Sequence, residues 1–126
     1  MREIIFTKNA PVPIGPYSQA VLSGNTLYVS GQIPSNPLTG ELMMSSIEEQ
    51  TKQVMENLKA ILSEVKMSFD NVVKATIFIT DMNDFSKINS VYGDYFSETN
   101  APARETVQVS RLPKDVNVEI SVIAIK

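Results

Sequence analysis

Two stretches of the chain, 106–109 and 116–122, alternate between polar and apolar residues. This alternation is typical of β-strands that bury one face. Between them, Arg111–Asp115 supplies the proline and the aspartate of a turn. The pattern therefore predicts two antiparallel strands joined by that turn.

The predicted pairing brings three polar side chains together. If the apolar faces of the two strands coincide, the turn centres on Leu112 and Pro113. Thr106 then lies opposite Glu119, and Arg104 lies one diagonal step from Glu119. An arginine, a carboxylate and a hydroxyl share one face in this arrangement, and we expect the functional site there.

Helical periodicity marks two further segments. The first helix begins at Ser45 or Ser46, because each serine precedes a glutamate by three residues and fits a capping box. Its apolar stripe consists of Ile47, Val54, Met55, Leu58, Ile61, Leu62 and Val65. The second helix follows a cap at Asp81 or Asn83. Its stripe consists of Phe85, Ile88, Tyr92, Tyr95 and Phe96, with Asn89 inside the stripe.

Shorter apolar runs predict the remaining strands. Arg2–Phe6 reads as an edge strand, and Asn71–Thr80 reads as a strand with Val73 and Ala75 on its apolar face. Tyr17–Ser23 and Thr26–Gly31 are separated by glycine and asparagine, which is a strong hairpin signal. The order of strands, helix, strand, helix and strands predicts an α+β domain with a mixed or antiparallel sheet and two helices on one face.

The last strand is apolar on both faces. Ile123 and Ile125 share a face with Glu119, while Val122 and Ala124 lie on the other. Two helices cover only one side of a sheet, so a strand of this kind needs a second cover. We expect another subunit to cover the second face, with the candidate site at or near the interface.

Composition narrows the possible chemistry. The 126 residues form a single domain, 1–126, and the net charge of −3 argues against a nucleic-acid surface. The absence of cysteine and histidine excludes a thiol nucleophile, a Ser-His-Asp triad and a histidine or cysteine zinc site. No acidic loop has the spacing of a cation site, so we expect no metal. Without an apparent signal peptide or membrane-length apolar run, we expect a cytoplasmic protein.

Arg104 and Glu119 each allow two interpretations. Arg104 is suited to hold a substrate carboxylate with its planar fork, or to form an interface salt bridge. Glu119 is suited to activate water as a base, or to serve as the charge partner of Arg104. Both interpretations stay open at this point.

Several motifs, in order along nearly the whole chain, resemble the reactive intermediate deaminase family (RidA/YjgF/YabJ). They are Ile14–Ala20, Tyr28–Pro34, Thr39–Glu41, Asn57–Leu62, Asn71–Lys74, Ala101–Arg104, Arg111–Pro113 and Val118–Ile120. The resemblance implies a chorismate-mutase-like (ferredoxin-like) fold and a homotrimer with clefts between subunits. It also implies cofactor-free hydrolysis of 2-iminopropanoate, 2-iminobutanoate and their enamine tautomers to 2-keto acids and ammonia. Pyridoxal-phosphate-dependent dehydratases produce such intermediates.

The resemblance also implies roles for individual residues. The substrate-carboxylate arginine of the family falls on Arg104 and its water-handling glutamate on Glu119. Its other pocket positions correspond to Tyr17, Ser30, Gly31 and Asn89, and we add Thr106 as a substrate-binding residue. Many relatives have cysteine at the position of Thr106 and an acidic residue at that of Ser121.

A second hypothesis belongs to a different class of function. The same cleft would serve a trimeric regulatory or ligand-binding protein that does not turn its ligand over. The presence of both Arg104 and Glu119 favours the enzyme. A nuclease or RNA-binding function is disfavoured by the acidic net charge.

Overall fold

The computed structural model describes residues 2–126, which form one six-stranded sheet with two helices on one of its faces. The strands are β1 (Arg2–Ile5), β2 (Ala20–Ser23), β3 (Thr26–Gln32), β4 (Val72–Ile79), β5 (Ala103–Gln108) and β6 (Val118–Ile125), and the helices are α1 (Ile47–Glu64) and α2 (Phe85–Gly93). The strand order is β1-β2-β3-β6-β4-β5, with β4 and β5 parallel and the other pairs antiparallel. The mixed sheet confirms the predicted α+β class. Within residues 2–126, no helix has the length and apolarity needed to cross a membrane.

Helix α1 has a defined cap at each end. Ser46 is its N-cap, with Oγ accepting a hydrogen bond from the backbone N–H of Glu49 at 3.0 Å, which decides between the two predicted serines. At the other end Lys66 takes a left-handed φ of 60°. The N–H of Met67 then donates to the carbonyl of Leu62 at 2.9 Å, as in a Schellman motif.

The core lies between α1 and the central strands. Along β6 the even-numbered residues, Val118, Ile120, Val122 and Ala124, are buried against the helices. The odd-numbered residues of β6 lie on the opposite face, which no helix covers. That open face also carries Tyr28 and Phe78, and it displays the second apolar surface that the sequence predicted.

The predicted hairpin between the last two strands is wrong. β4 lies between β5 and β6, pairing parallel with the former and antiparallel with the latter. The physical reason is that β4 has the better apolar face, with Ile77 and Ile79 opposite Ile120 and Val118. β5 is left at the sheet edge, where its alternation does not specify a partner.

Two local expectations have different outcomes. The hairpin through Gly24 is confirmed, since Ser23 pairs with Thr26 and Gly24 takes a φ of +61°. Val73 does not belong to the buried face, because it is 45% exposed. The β4–β6 register shifts between Val72 and Lys74, and this irregularity buries Val72 instead.

A buried amide ties α1 to the loop that follows β3. Asn57 is 1% exposed, and its Nδ2 donates to the carbonyls of Ile33 at 3.1 Å and Ser35 at 3.0 Å. Its Oδ1 accepts from Gln53 Nε2 at 2.9 Å. One side chain therefore satisfies two loop carbonyls that have little access to water.

Replacing Asn57 should test this anchor. We expect Asn57→Ala to lower the free energy of unfolding by about 2–3 kcal/mol, because it leaves two carbonyls without their donor. Gln53→Ala is the matched control, since it removes only the bond to Asn57 Oδ1 and should cost about 1 kcal/mol or less. Urea unfolding followed by circular dichroism measures both, and equal losses would contradict the anchor.

Candidate functional site

A cavity of about 420 Å³ lies against the open face of the sheet. Its lining residues are Ile14, Tyr17, Ser30, Gly31, Ile33, Pro113, Lys114 and Glu119. Four of the predicted site residues therefore meet here, namely Tyr17, Ser30, Gly31 and Glu119. The other four were not predicted from the sequence, and three of them are apolar. We call this space the Glu119 cavity.

A β-bulge positions the carboxylate of Glu119. The β3–β6 register shifts between Val29 and Gln32, so Ser30 and Gly31 share one position of the ladder. A Cβ added at Gly31 would lie 2.8 Å from Cδ and 3.0 Å from Cγ of Glu119. Glycine at this point of the bulge lets the Glu119 side chain keep its present position without overlap.

The floor and rim of the cavity are held by hydrogen bonds. Ser30 Oγ donates to the carbonyl of Ser18 at 2.6 Å. Because its proton is used in this bond, the hydroxyl can only accept a hydrogen bond from a ligand. Gln19 is 1% exposed, accepts from the N–H of Thr7 and donates to the carbonyl of Pro11. Its amide therefore anchors the loop that leads into Tyr17, which stays 51% exposed.

The environment of Glu119 favours its neutral form. Desolvation by burial raises the pKa of Glu119 above its usual value. Within residues 2–126, the carboxylate of Glu119 has no ion-pair partner to offset this effect. A carboxyl group that exchanges its proton nearer to neutral pH is suited to general base and acid steps.

Arg104 lies in a second groove, of about 440 Å³, on the helix side of the sheet. Its Nη1 donates to Asn89 Oδ1 at 2.5 Å. The guanidinium lies 5.0 Å from the ring centroid of Tyr92 and 5.6 Å from that of Phe85. No carboxylate within the described part of the chain pairs with Arg104, so its charge remains available to an anionic ligand.

The two charged residues do not form the predicted cluster. Arg104 aligns with Ala75 of the helix face, whereas Glu119 aligns with Phe78 of the open face. Two strand spacings and three residues separate them, which is roughly 14 Å between Cα atoms, on opposite sides of the sheet. A salt bridge between Arg104 and Glu119 of the same chain is therefore excluded.

Thr106 is also not where the hairpin placed it. It aligns with Ile77 on the helix side, not with Glu119, and its buried Oγ1 has no hydrogen-bond partner among the described residues. Phe85 and Tyr92 were likewise predicted only as members of the apolar stripe of the second helix. Their position under Arg104 has no local signal, because core and cation-stacking aromatic residues share the same helical spacing.

The described residues contain no group of three or more histidine, cysteine, aspartate or glutamate side chains that could hold a metal ion. The groups that can act on a ligand are one half-buried carboxyl group and one guanidinium. Together they suit a small anion and a proton transfer. Each half of this arrangement faces a different side of the same chain.

Known proteins are similar to this chain over its whole length. The family model described as endoribonuclease L-PSP matches residues 7–126. A RutC family protein of Pyrococcus horikoshii is 56% identical over 126 residues, which cover 100% of this chain and 99% of that protein. The 2-iminobutanoate/2-iminopropanoate deaminase of Escherichia coli is 46% identical over 128 residues, covering 100% and 99%. The crystal structure of the Rid family protein YyfA of Yersinia pestis superimposes with a TM-score of 0.97 at 52% identity, covering 100% of both chains.

The bulge geometry leads to a test of Gly31. We expect Gly31→Ala to destabilise the protein by about 1–3 kcal/mol, because the new methyl group overlaps the Glu119 side chain. In a Glu119→Ala background the same change should cost much less, since the overlapping atoms are gone. Gly93→Ala is the control, because nothing lies within 4 Å of a Cβ there and the helix should gain about 0.5–1 kcal/mol. Urea unfolding of the four variants measures each term, and equal costs of Gly31→Ala in both backgrounds would disprove the close approach.

The raised pKa of Glu119 gives a second test, on stability. Because burial raises the folded-state pKa, the native state binds more protons than the unfolded state between the ordinary and the raised value. Stability should therefore fall as pH rises through that window, and the loss is complete above it. Glu119→Gln removes the titration. The free energy of unfolding of wild type minus that of the variant should decrease from pH 4 to pH 7 by urea unfolding, and an increase would contradict the burial effect.

Proposed function

We propose, from the premise that the chain belongs to the endoribonuclease L-PSP (Rid) family, that it hydrolyses small 2-imino acids and their enamine tautomers to 2-keto acids and ammonia. The substrates we propose are 2-iminopropanoate and 2-iminobutanoate. The observation that supports this reaction is the pair of complementary half-sites, a guanidinium without a carboxylate and a carboxyl group whose pKa is raised. No cofactor takes part in the proposed steps.

The proposed active protein is a homotrimer. Because Arg104 and Glu119 lie on opposite sides of one sheet, a complete site needs Arg104 of one copy and Glu119 of another. The open face favours such an assembly, since it exposes Tyr28 and Val107. β5, which carries Arg104, is an edge strand and is therefore placed to approach a second copy.

Each half-site has a distinct role in the proposed mechanism. Arg104 binds the substrate carboxylate, and Asn89 holds the guanidinium in place through its Oδ1. This anchor fixes the position of C2, the electrophilic carbon of the imine, over the Glu119 cavity of the neighbouring copy. Tyr17, Ser30 and Gly31 shape that cavity, and Ser30 offers lone pairs to a donor on the substrate.

The hydrolysis then needs one proton carrier. Glu119, as the carboxylate, accepts a proton from water while the water oxygen attacks C2 of the iminium. The electron pair of the C=N π bond moves to nitrogen and forms a carbinolamine. Protonated Glu119 next donates its proton to the amino group, and the C–N bond breaks with its electron pair moving to nitrogen. The hydroxyl proton passes to the departing ammonia as the C=O bond forms. The net products are the 2-keto acid and an ammonium ion.

The physiological setting follows from the chemistry of the substrate. Enamines of this kind are released when a pyridoxal-phosphate-dependent dehydratase removes water from serine or threonine. We place the activity in the cytoplasm, as part of the proposal. A small 2-imino acid is the partner molecule we expect, and the acidic net charge disfavours nucleic acid.

A coupled assay tests the proposed reaction. A dehydratase generates the imine in place, and keto-acid formation is followed with and without the protein. We expect wild type to accelerate hydrolysis, Arg104→Ala and Glu119→Gln to lower kcat/KM by roughly 100-fold or more, and Arg104→Lys to retain part of it. No acceleration by folded wild type would support the regulatory or ligand-binding alternative.

Mixing the two inactive variants tests the shared site. If each site takes Arg104 from one copy and Glu119 from another, co-refolded Arg104→Ala and Glu119→Gln chains should recover about a quarter of wild-type activity, since random closed assemblies form that share of intact sites. Each variant refolded alone is the control. Light scattering gives the number of copies, and a stable monomer or an inactive mixture would overturn the proposed assembly.

A further inference from the structure

One charged residue of the Glu119 cavity has no role in the proposed reaction. Lys114 lines this cavity together with Glu119, and it also lines the adjoining pocket of about 60 Å³ beside Ile14 and Tyr17. It is therefore a cation at the rim of an apolar space that holds one carboxyl group.

The turn around Lys114 holds its backbone in an unusual conformation. Lys114 and Asp115 take left-handed φ values of 56° and 58°, which are unfavourable for residues other than glycine. Backbone bonds close the turn, with the N–H of Asp115 donating to Leu112 at 3.1 Å and that of Val116 to Pro113 at 3.3 Å. Glycine would adopt this conformation at lower cost, so substitution by glycine separates the effect of the backbone from that of the side chain.

The neighbouring charges do not neutralise Lys114. Asp115 is engaged by Arg111, whose Nη2 donates to Oδ2 at 3.2 Å, and this contact lowers the pKa of Asp115. No carboxylate within residues 2–126 lies within ion-pair distance of the Lys114 ammonium. The cavity therefore offers a cation to whatever enters it.

The size of the cavity exceeds that of the smallest imines. A molecule such as 2-iminopropanoate has six heavy atoms and occupies less than roughly 180 Å³ if each atom takes the volume of a water molecule. The Glu119 cavity measures about 420 Å³. Within a single chain, a substrate whose C2 lies near Glu119 therefore has space for a side chain directed towards Lys114.

We propose that Lys114 binds a second anionic group of the substrate, so that the site accepts 2-imino dicarboxylates, with the distal carboxylate at Lys114. This proposal rests on the proposed function for the reaction, but not for the binding. The Lys114 ammonium supplies an opposite charge for a distal carboxylate at the edge of this largely apolar space. The apolar walls, Ile14, Ile33 and Pro113, contact the methylene groups between the two carboxylates.

Calorimetric titration of two keto acids tests the binding without turnover. The probes are 2-oxoglutarate and 2-oxohexanoate, which are similar in length and end in a carboxylate and a methyl group respectively. We expect wild type to bind 2-oxoglutarate about fivefold more tightly than 2-oxohexanoate, the size of effect typical of a partly exposed ion pair. Lys114→Ala and Lys114→Gly should both abolish this preference.

The glycine variants separate charge from backbone strain. Lys114→Gly should raise the unfolding midpoint by about 3–5 °C, because it relieves the left-handed conformation, whereas Lys114→Ala should not. Lys66→Gly is the matched control, since Lys66 has a φ of 60° at the end of α1. It should raise the midpoint and keep the wild-type preference.

The outcomes distinguish this inference from the proposed function. Loss of the 2-oxoglutarate preference in both Lys114 variants supports the inference, even if wild type shows no imine hydrolysis. An unchanged preference in Lys114→Ala, an equal affinity of wild type for both probes, or binding of neither probe would overturn it. In an active protein, the ratio of kcat/KM for the imines of glutamate and 2-aminobutanoate should fall about fivefold in Lys114→Ala.

Discussion

The antiparallel pairing of β6 with β4 is the constraint on which the rest of the molecule depends. It joins the two most apolar strands at the centre of the sheet, with Ile120 opposite Ile77 and both fully buried. Because side chains alternate along a strand, burying Ile120 against α1 forces Glu119 to the other face. The position of the candidate acid–base group is therefore a consequence of core packing.

The same pairing separates the two charges that the chain would use. β4 excludes β5 from contact with β6 and leaves it at the sheet edge, where Arg104 turns to the helix side and stacks on Tyr92. A carboxylate and a guanidinium placed together in one chain would neutralise each other as an ion pair. Held on opposite sides, each keeps its capacity to bind another group, and the proposed homotrimer is the arrangement that would bring them together.

Local irregularities complete the cavity around Glu119. The bulge at Ser30 and Gly31 removes a side chain where the carboxylate must fit, and buried amides hold the adjoining loops. Gln19 satisfies the loop before Tyr17, and Asn57 satisfies the loop after β3. These bonds take the place of regular ladder contacts in the loops that form part of the cavity wall.

The sequence by itself determined what depends on near neighbours along the chain. The periods of the helices and strands, the cap at Ser46 and the turn at Gly24 follow from local patterns. The selection of Arg104 and Glu119 rested on a hairpin that the fold does not contain and on the family resemblance, and their roles stay predictions. It did not determine which strand pairs with which. Alternation predicts which face of a strand is buried, but it does not specify the neighbouring strand. The pairing depends on the total apolar area that distant strands bury together.

Only the tertiary structure decided the parallel placement of β5, the shift that buries Val72 in place of Val73, and the presence of Lys114 in the Glu119 cavity. These features depend on which of several possible contacts form between residues far apart in the chain. A short segment of sequence contains only one member of each such contact and does not predict the outcome.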